Sequence, residues 1–349
     1  MYQPQVAVPI PEVPRTRVGL LLPLTGANRP LGQAMLNAAQ LALFDQADPA
    51  IEFIPRDTGS TPGGAAEAAR SVIGEGARAL AGPLTLTETA AAAAPARAAG
   101  APMMAFTSDA APGGNGVWVL GTTPGEQAER VANAAAGAGA HRFGLLAPDD
   151  EFGRRLAVAL RARLPALGLA PPLVLLHPRI ADTAAAAREL ATQAGPEGLD
   201  AVMLGLSGDR ARSAAAALVA ALPNRPQLLG HSLWAQDPVV AQEPALAGAW
   251  FPGPDPATRA AFDQRYQAAF GTPPPRLAGV AYDGAALASR AARNGYGGAP
   301  VGEAMLGADG PIMLTPDGLA RHGLALFAVD PSGEPRLVEP APIPGAAGT

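Results

Sequence analysis

Neither cysteine nor lysine occurs anywhere in the 349 residues. Without cysteine there is no thiolate nucleophile, no CxxC zinc site and no disulfide framework, and the redox state of the compartment leaves no mark on the sequence. Without lysine there is no Schiff-base amine, no P-loop lysine and no lysine general base. Aromatic residues make up only 5% of the chain and charged residues 16%. The arginines are scattered, the net charge is −5, and no basic stripe alternates with stacking rings, which argues against nucleic-acid binding. No apolar run approaches the roughly 20 residues of a membrane-spanning helix. The opening MYQPQVAVPIPEVPRT (1–16) lacks the charged start and apolar core of a signal peptide, and its prolines predict an extended lead-in.

What the chain has is apolar residues (48%), glycine (41) and proline (38). That composition belongs to a well-packed globular protein, and the length predicts two lobes. Short apolar runs recur, each followed by a polar or glycine tip and an alanine-rich helical segment. Strands are expected at 17–23, 51–55, 78–81, 102–106, 142–147, 173–177, 200–204 and 227–230. Helices are expected near 30–46, 63–76, 86–99, 124–138, 152–167, 182–194, 209–222, 256–270 and 276–293. Pro30 suits the first turn of its helix, with Asn28 as cap. Continuous apolar strands alternating with helices predict an α/β protein of two Rossmann-like lobes, each a parallel sheet with helices on both faces. Segments 117–130 and 248–256 read as crossings, and PIMLTPDGLARHGLALFAV as a hairpin turning at Pro316-Asp317-Gly318. The expected organisation is 1–16 lead-in, 17–121 and 253–300 lobe 1, 122–252 and 301–330 lobe 2, and 331–349 a flexible tail, with a hinge crossed more than once.

In parallel sheets, ligands bind beyond the carboxyl ends of the strands, where helix N-termini and backbone N–H groups are exposed. The tips here carry Thr25, Leu84, Thr85, Thr107, Ser108, Ser207 and His231, and small hydroxyls of this kind suit a carboxylate or another small anion. The competing reading is that each simply caps its helix. Catalytic and metal chemistry lack their parts. GLSGD (205–209) resembles a nucleophile elbow but ends in Asp. Histidines 141, 177, 231 and 322 offer no i,i+3 or i,i+4 pair for a metal. The acids of DDEF (149–152) suit a helix start. No enzyme activity, cofactor or metal is expected.

Several segments resemble the type I periplasmic binding protein superfamily, in its leucine/isoleucine/valine-binding branch: GLLLPLTGANRPLGQAMLNAAQLAL, LAGPLTLTETAAAAAPARAAGAPMMAF, DDEFGRRLA and FDQRYQAAFGTPPPRLAGVAYDGAALA. Within it, LPLTGANRPLGQAMLNAAQLALFD, PRDTGSTPGGAAEAA and HSLWAQDPVVAQEPALAGAWFPGPDP look most like the penicillin-binding-protein activator (LppC/YraM-like) lipoproteins. That resemblance implies a non-enzymatic periplasmic protein that stimulates a peptidoglycan synthase, its precursor anchored at the outer membrane by a lipidated cysteine. The alternative implied is a solute receptor that feeds an ABC permease. In such receptors the ligand lies between the lobes. The matching carboxylate-binding positions are Thr85, Thr107 and Ser108, with Leu84 and Phe106 beside them, and Phe152 covers the ligand. The acidic group that takes a ligand ammonium in such receptors has no matching position here: the loop after 227–230 offers His231 and Trp234 instead of a carboxylate, and Asp149 and Asp209 are the acids left to reach in.

Overall fold

The computed structural model describes residues 15–294 and 298–345. Most of the lead-in expected at 1–16 therefore lies outside the described residues. The chain opens β1 (Thr16–Leu22), α1 (Arg29–Gln46), β2 (Ile51–Asp57), α2 (Pro62–Gly74), β3 (Ala77–Ala81), α3 (Leu86–Ala98), β4 (Met103–Ala105) and β5 (Val117–Val119). It continues α4 (Pro124–Gly137), β6 (Phe143–Pro148), α5 (Glu151–Ala166), β7 (Leu173–His177), α6 (Thr183–Ala194), β8 (Ala201–Leu204), α7 (Gly208–Ala221), β9 (Gln227–Leu229), a short α8 (Pro238–Gln242) and β10 (Trp250–Gly253). Last come α9 (Pro256–Phe270), α10 (Ala278–Asn294), β11 (Ala304–Leu306), β12 (Pro311–Leu314), β13 (Ala320–His322), β14 (Ala325–Ala328) and β15 (Arg336–Glu339).

Two compact units result. The first comprises Met1–Leu120, Arg265–Val301 and Pro316–Leu319; the second comprises Gly121–Gln264, Gly302–Thr315 and Ala320–Thr349. The chain thus passes from one to the other after Leu120, Gln264, Val301, Thr315 and Leu319.

The first unit holds a five-stranded sheet in the order β2-β1-β3-β4-β5, every pair parallel. Leu21, Leu80 and Met103 pack with the alanine faces of α2 and α3. Because side chains alternate along a strand, Leu20 and Leu22 turn to the other face, and both are fully buried. α10 packs against β1, β3 and β4, with α1 beside it. Gly284 in α10 is required there, since a Cβ would stand 2.5 Å from Cε1 of Phe106.

The second unit holds a seven-stranded sheet in the order β15-β14-β10-β9-β8-β6-β7. Strands β10, β9, β8, β6 and β7 run parallel, while β14 is antiparallel to both β10 and β15. Leu146, Val202, Leu204 and Leu228 face α6 and α7. Their neighbours Leu145, Ala201, Met203 and Leu229 face α4 and α5. Burying each leucine contributes about 1.5–3 kcal/mol relative to leaving it in water. Strands β11, β12 and β13 form a separate antiparallel sheet.

Four expectations are corrected. Residues 117–119, read as part of a crossing, form β5, a three-residue edge strand too short for a periodic signal. Residues 250–253, read likewise, form β10, whose proline and glycine obscure a strand paired on both sides. The tail from 331 carries β15, held on β14 by an alternating Arg-Leu-Val-Glu run. Asn28 occupies the cap position of α1 but makes no capping hydrogen bond with its side chain.

Candidate functional site

In the first unit, parallel pairing sets Leu22 opposite Asp57, so the loop leaving β1 runs past the end of β2. The Asp57 carboxylate accepts the N–H groups of Leu24 (2.9 Å), Thr25 (3.0 Å) and Gly59 (2.8 Å) and the Thr25 hydroxyl. Burial pushes the carboxyl up, but the Thr25 hydroxyl and these N–H groups outweigh it and hold Asp57 below its ordinary value. One step along the sheet, Glu88 is 1% exposed and does the same for the next two tips. It accepts the hydroxyls of Thr58 (2.6 Å) and Thr85 (2.7 Å) and the Thr85 N–H (3.1 Å). Its own N–H returns to Thr85 Oγ1 (3.3 Å), which completes a capping box on α3.

Gly82 makes this tip possible. Its φ is +98°, and a Cβ there would lie 2.2 Å from the Leu21 carbonyl oxygen. Leu84 is half-buried beside Thr85. Phe106 follows β4, its N–H donating to the Pro83 carbonyl (2.9 Å) and its ring turned under α10. Thr107 is buried and accepts the Asp109 N–H (3.1 Å), while Ser108 is exposed.

In the second unit the tips of β6, β8 and β9 bring Phe152, Ser207, His231 and Trp234 together. The Phe152 ring meets His231 edge-on, with centroids 5.2 Å apart at 78°. His231 is 3% exposed, and its Nε2 lies 3.1 Å from the Leu206 carbonyl oxygen and 3.3 Å from Ser207 Oγ. Trp234, also 3% exposed, donates its indole N–H to the same carbonyl at 2.8 Å and belongs to the core under α7. Gln127 reaches in from α4 to accept the Ser232 N–H (2.9 Å). The Ser207 and His231 pairing lacks the geometry of a nucleophile elbow. In the tautomer that donates from Nε2 to the Leu206 carbonyl, no lone pair is left there to take the serine's proton. The backbone at Ser207 is ordinary extended (φ −133°, ψ 166°) rather than a strained elbow.

Three of the helix N-termini at these tips, those of α3, α5 and α7, share a chemistry. Each is a ready anion site, and each is met by a carboxylate of the chain itself. Glu88 serves α3. Asp150 serves α5, accepting from Gly153 N–H (3.0 Å) and from Arg179. Burial pushes the Asp150 carboxyl up, yet those bonds hold it below its ordinary value. Asp237 serves α7 through the Gly208 N–H (2.6 Å), while its other oxygen takes Val239 and Val240 of α8. The two aspartates considered for a ligand ammonium are each paired within their own helix start, Asp149 with Arg154 (2.7 Å) and Asp209 with Arg212 (2.8 Å).

Asp57, Glu88, Asp237 and Gln127 organise the tips, and residue-type reasoning did not put them among the site residues. One signal was available, because Thr85-Leu86-Thr87-Glu88 has the spacing of a capping box. The contacts of Asp57, Asp237 and Gln127 come from strand register and from loops meeting across the sheet end. Among the described residues no group of three or more histidine or acidic side chains is placed to hold a metal, and no helix is long and apolar enough to cross a membrane.

The sequence matches the periplasmic binding protein family over residues 15–330, and the chain belongs to that family. No curated protein matches it. Among solved structures it is similar to one from Rhodospirillum rubrum assigned to a branched-chain amino acid ABC transporter, with a TM-score of 0.79 and 19% identity over 93% of this chain and 100% of that one. It is similar to the C-domain of LpoA (YraM) from Haemophilus influenzae, a regulator of PBP1A, with a TM-score of 0.74 and 18% identity over 93% and 100%. Of full-length LpoA it spans 59%. The leucine-binding protein LivK of Thermotoga maritima superposes with a TM-score of 0.60 at 18% identity, over 94% and 99%. These likenesses establish the leucine-binding-protein fold, with parallel sheets flanked by helices in both units. The family and these neighbours are binding and regulatory proteins.

Proposed function

We propose that this chain is a non-enzymatic periplasmic regulator of peptidoglycan synthesis that acts by contact with a penicillin-binding protein. One observation carries the reading: donors at the tips of β1, β2, β3, β6 and β8 already serve the chain's own carboxylates. The hydroxyls of Thr25 and Thr85 point to Asp57 and Glu88, and Asp150 and Asp237 stand at two further helix N-termini. An amino-acid carboxylate brought there would meet negative charge and would have to displace bonds to charged acceptors, each contributing about 1.5–3 kcal/mol. The likeness to the LpoA C-domain over its whole length supports the same reading. The test is association of the purified protein with a bifunctional peptidoglycan synthase from its own organism, read together with glycan-polymerisation rate. Binding with a raised rate is expected, and a synthase that neither binds nor changes rate under conditions keeping both folded would refute the reading.

A second reading, a receptor for a small carboxylate delivering to an ABC permease, is favoured by Thr107 and the exposed Ser108, and by the likeness to the Rhodospirillum rubrum structure. A ligand that binds only the folded state raises the melting temperature by an amount set by concentration over Kd. Leucine, isoleucine, valine and small dicarboxylates at millimolar concentration are expected to leave it unmoved. A clear rise, abolished in the Thr107→Ala, Ser108→Ala double variant, would install the receptor reading instead.

A further inference from the structure

The second unit has a trough of about 1150 Å³ away from the strand tips, lined by the C-terminal half of α4, the end of α5 and the segment that follows β15. Its walls are small or apolar: alanines and a glycine on α4, Leu167 and Leu169 after α5, and Pro340 and Pro342 on the far side. Its charges are two arginines, Arg130 and Arg163, against a single acid, Glu339, in a chain whose net charge is −5.

The two arginines differ. Arg130 is engaged, donating to the Leu324 carbonyl (2.7 Å) and to Glu339 (2.8 Å). Arg163 gives only its Nε, to Asn133 Oδ1 (2.6 Å), and its two terminal nitrogens have no hydrogen-bond partner among the described residues. Asn133 therefore orients the guanidinium and leaves its fork available, the geometry that takes a carboxylate with two parallel bonds. The trough is larger than the roughly 300–1,000 Å³ of small-ligand pockets, and alanine and glycine walls let a main chain approach closely. β15 is the outermost strand of its sheet, but Pro340 and Pro342 lack N–H groups just beyond it, so recognition there falls to side chains rather than to strand addition.

We propose that this trough docks an extended, acidic segment of the partner protein, with Arg163 as the anchor for one of its carboxylates. This rests on the regulator reading for its partner, though not for its chemistry, and two arms separate them. In the first, synthase binding is compared among the wild type, Arg163→Glu, Ala138→Trp and the control Arg70→Glu, which lies on α2 in the first unit. Ala138 is exposed at the end of α4, so its replacement fills the trough without touching charge or core. The expected result is affinity lower by on the order of tenfold or more in both trough variants, unchanged in the control, with melting temperatures alike throughout. Equal binding by all four overturns the trough while the regulator reading stands.

In the second arm the probe is a fluorescein-labelled peptide of alternating Glu and Ala with one Pro, read by anisotropy at low salt beside its Lys-for-Glu counterpart. Binding of the acidic peptide alone, lost in Arg163→Glu, upholds the trough even if the synthase proves not to bind. No binding, or equal binding of the lysine peptide, overturns it.

Discussion

The two units close their strand tips with different materials. In the first, a carboxylate at the end of β2 and another at the start of α3 gather neighbouring hydroxyls and N–H groups, so the tips are held by charge-assisted hydrogen bonds. In the second, rings do much of the work. Phe152 leans on His231, and Trp234 lies beneath, with its indole N–H on the carbonyl that His231 also meets. A hydrogen-bonded tip depends on the ionisation of its acceptor. A ring-packed tip depends on shape, and a truncated ring leaves a void.

That difference can be broken at either end. Trp234→Ala is expected to have the largest effect, a loss of about 3–5 kcal/mol from the void left in the core, measured by urea denaturation. Trp234→Phe keeps most of the ring and should lose only about 1 kcal/mol, the net worth of the bond to Leu206. In the first unit, Glu88→Ala removes the acceptor of the fully buried Thr58 hydroxyl and of the Thr85 cap together, and should cost about 3 kcal/mol. Glu88→Gln, which keeps one oxygen but not the charge, should cost roughly half as much; a Gln variant as stable as the wild type would mean that charge is not what holds these tips.

A pH series sharpens the comparison further. Asp57 binds its proton less tightly folded than unfolded, so the stability it supplies is complete above its ordinary value of 3.8 and drains away as pH falls through the lower folded-state value. The stability gap between wild type and Asp57→Asn should therefore be constant near neutrality and shrink below pH 3.8. A gap that persists in acid would assign the bond network to shape rather than charge. The smallest effect is expected for Ser108→Ala, whose exposed side chain should change stability by less than about 0.5 kcal/mol.

The fold was legible in the sequence because its signals are local and repeated. Apolar runs such as Val18–Leu22 and Phe143–Ala147 are hydrophobic on both faces, which only a sheet covered by helices on both sides explains. Strands β5 and β10 were missed because three or four residues containing or flanked by glycine and proline carry no period. The site was legible in part. Thr25, Thr85, Ser207 and His231 do stand at strand tips, which follows from the rule that loops after parallel strands share one end of the sheet. Sequence could not show that Trp234 turns into the core while Leu233, its neighbour, is 54% exposed, nor that Asp57 and Asp237 collect donors from loops far away in sequence. Those are consequences of register and of which helix a loop meets.

The helix that roofs the first sheet, α10, is made long after the strands it covers. Strands β6 to β10 all emerge before it. The order of synthesis is therefore not the order of completion: with only its first 120 residues made, the first unit would still leave the Phe106 ring and the inward side of α1 without their cover. The same interleaving bears on how such proteins can diversify. Neither unit is a contiguous cassette, so one splice cannot exchange it between relatives, and novelty has to arrive by substitution at tips, troughs and edges while the threading of the chain is inherited whole.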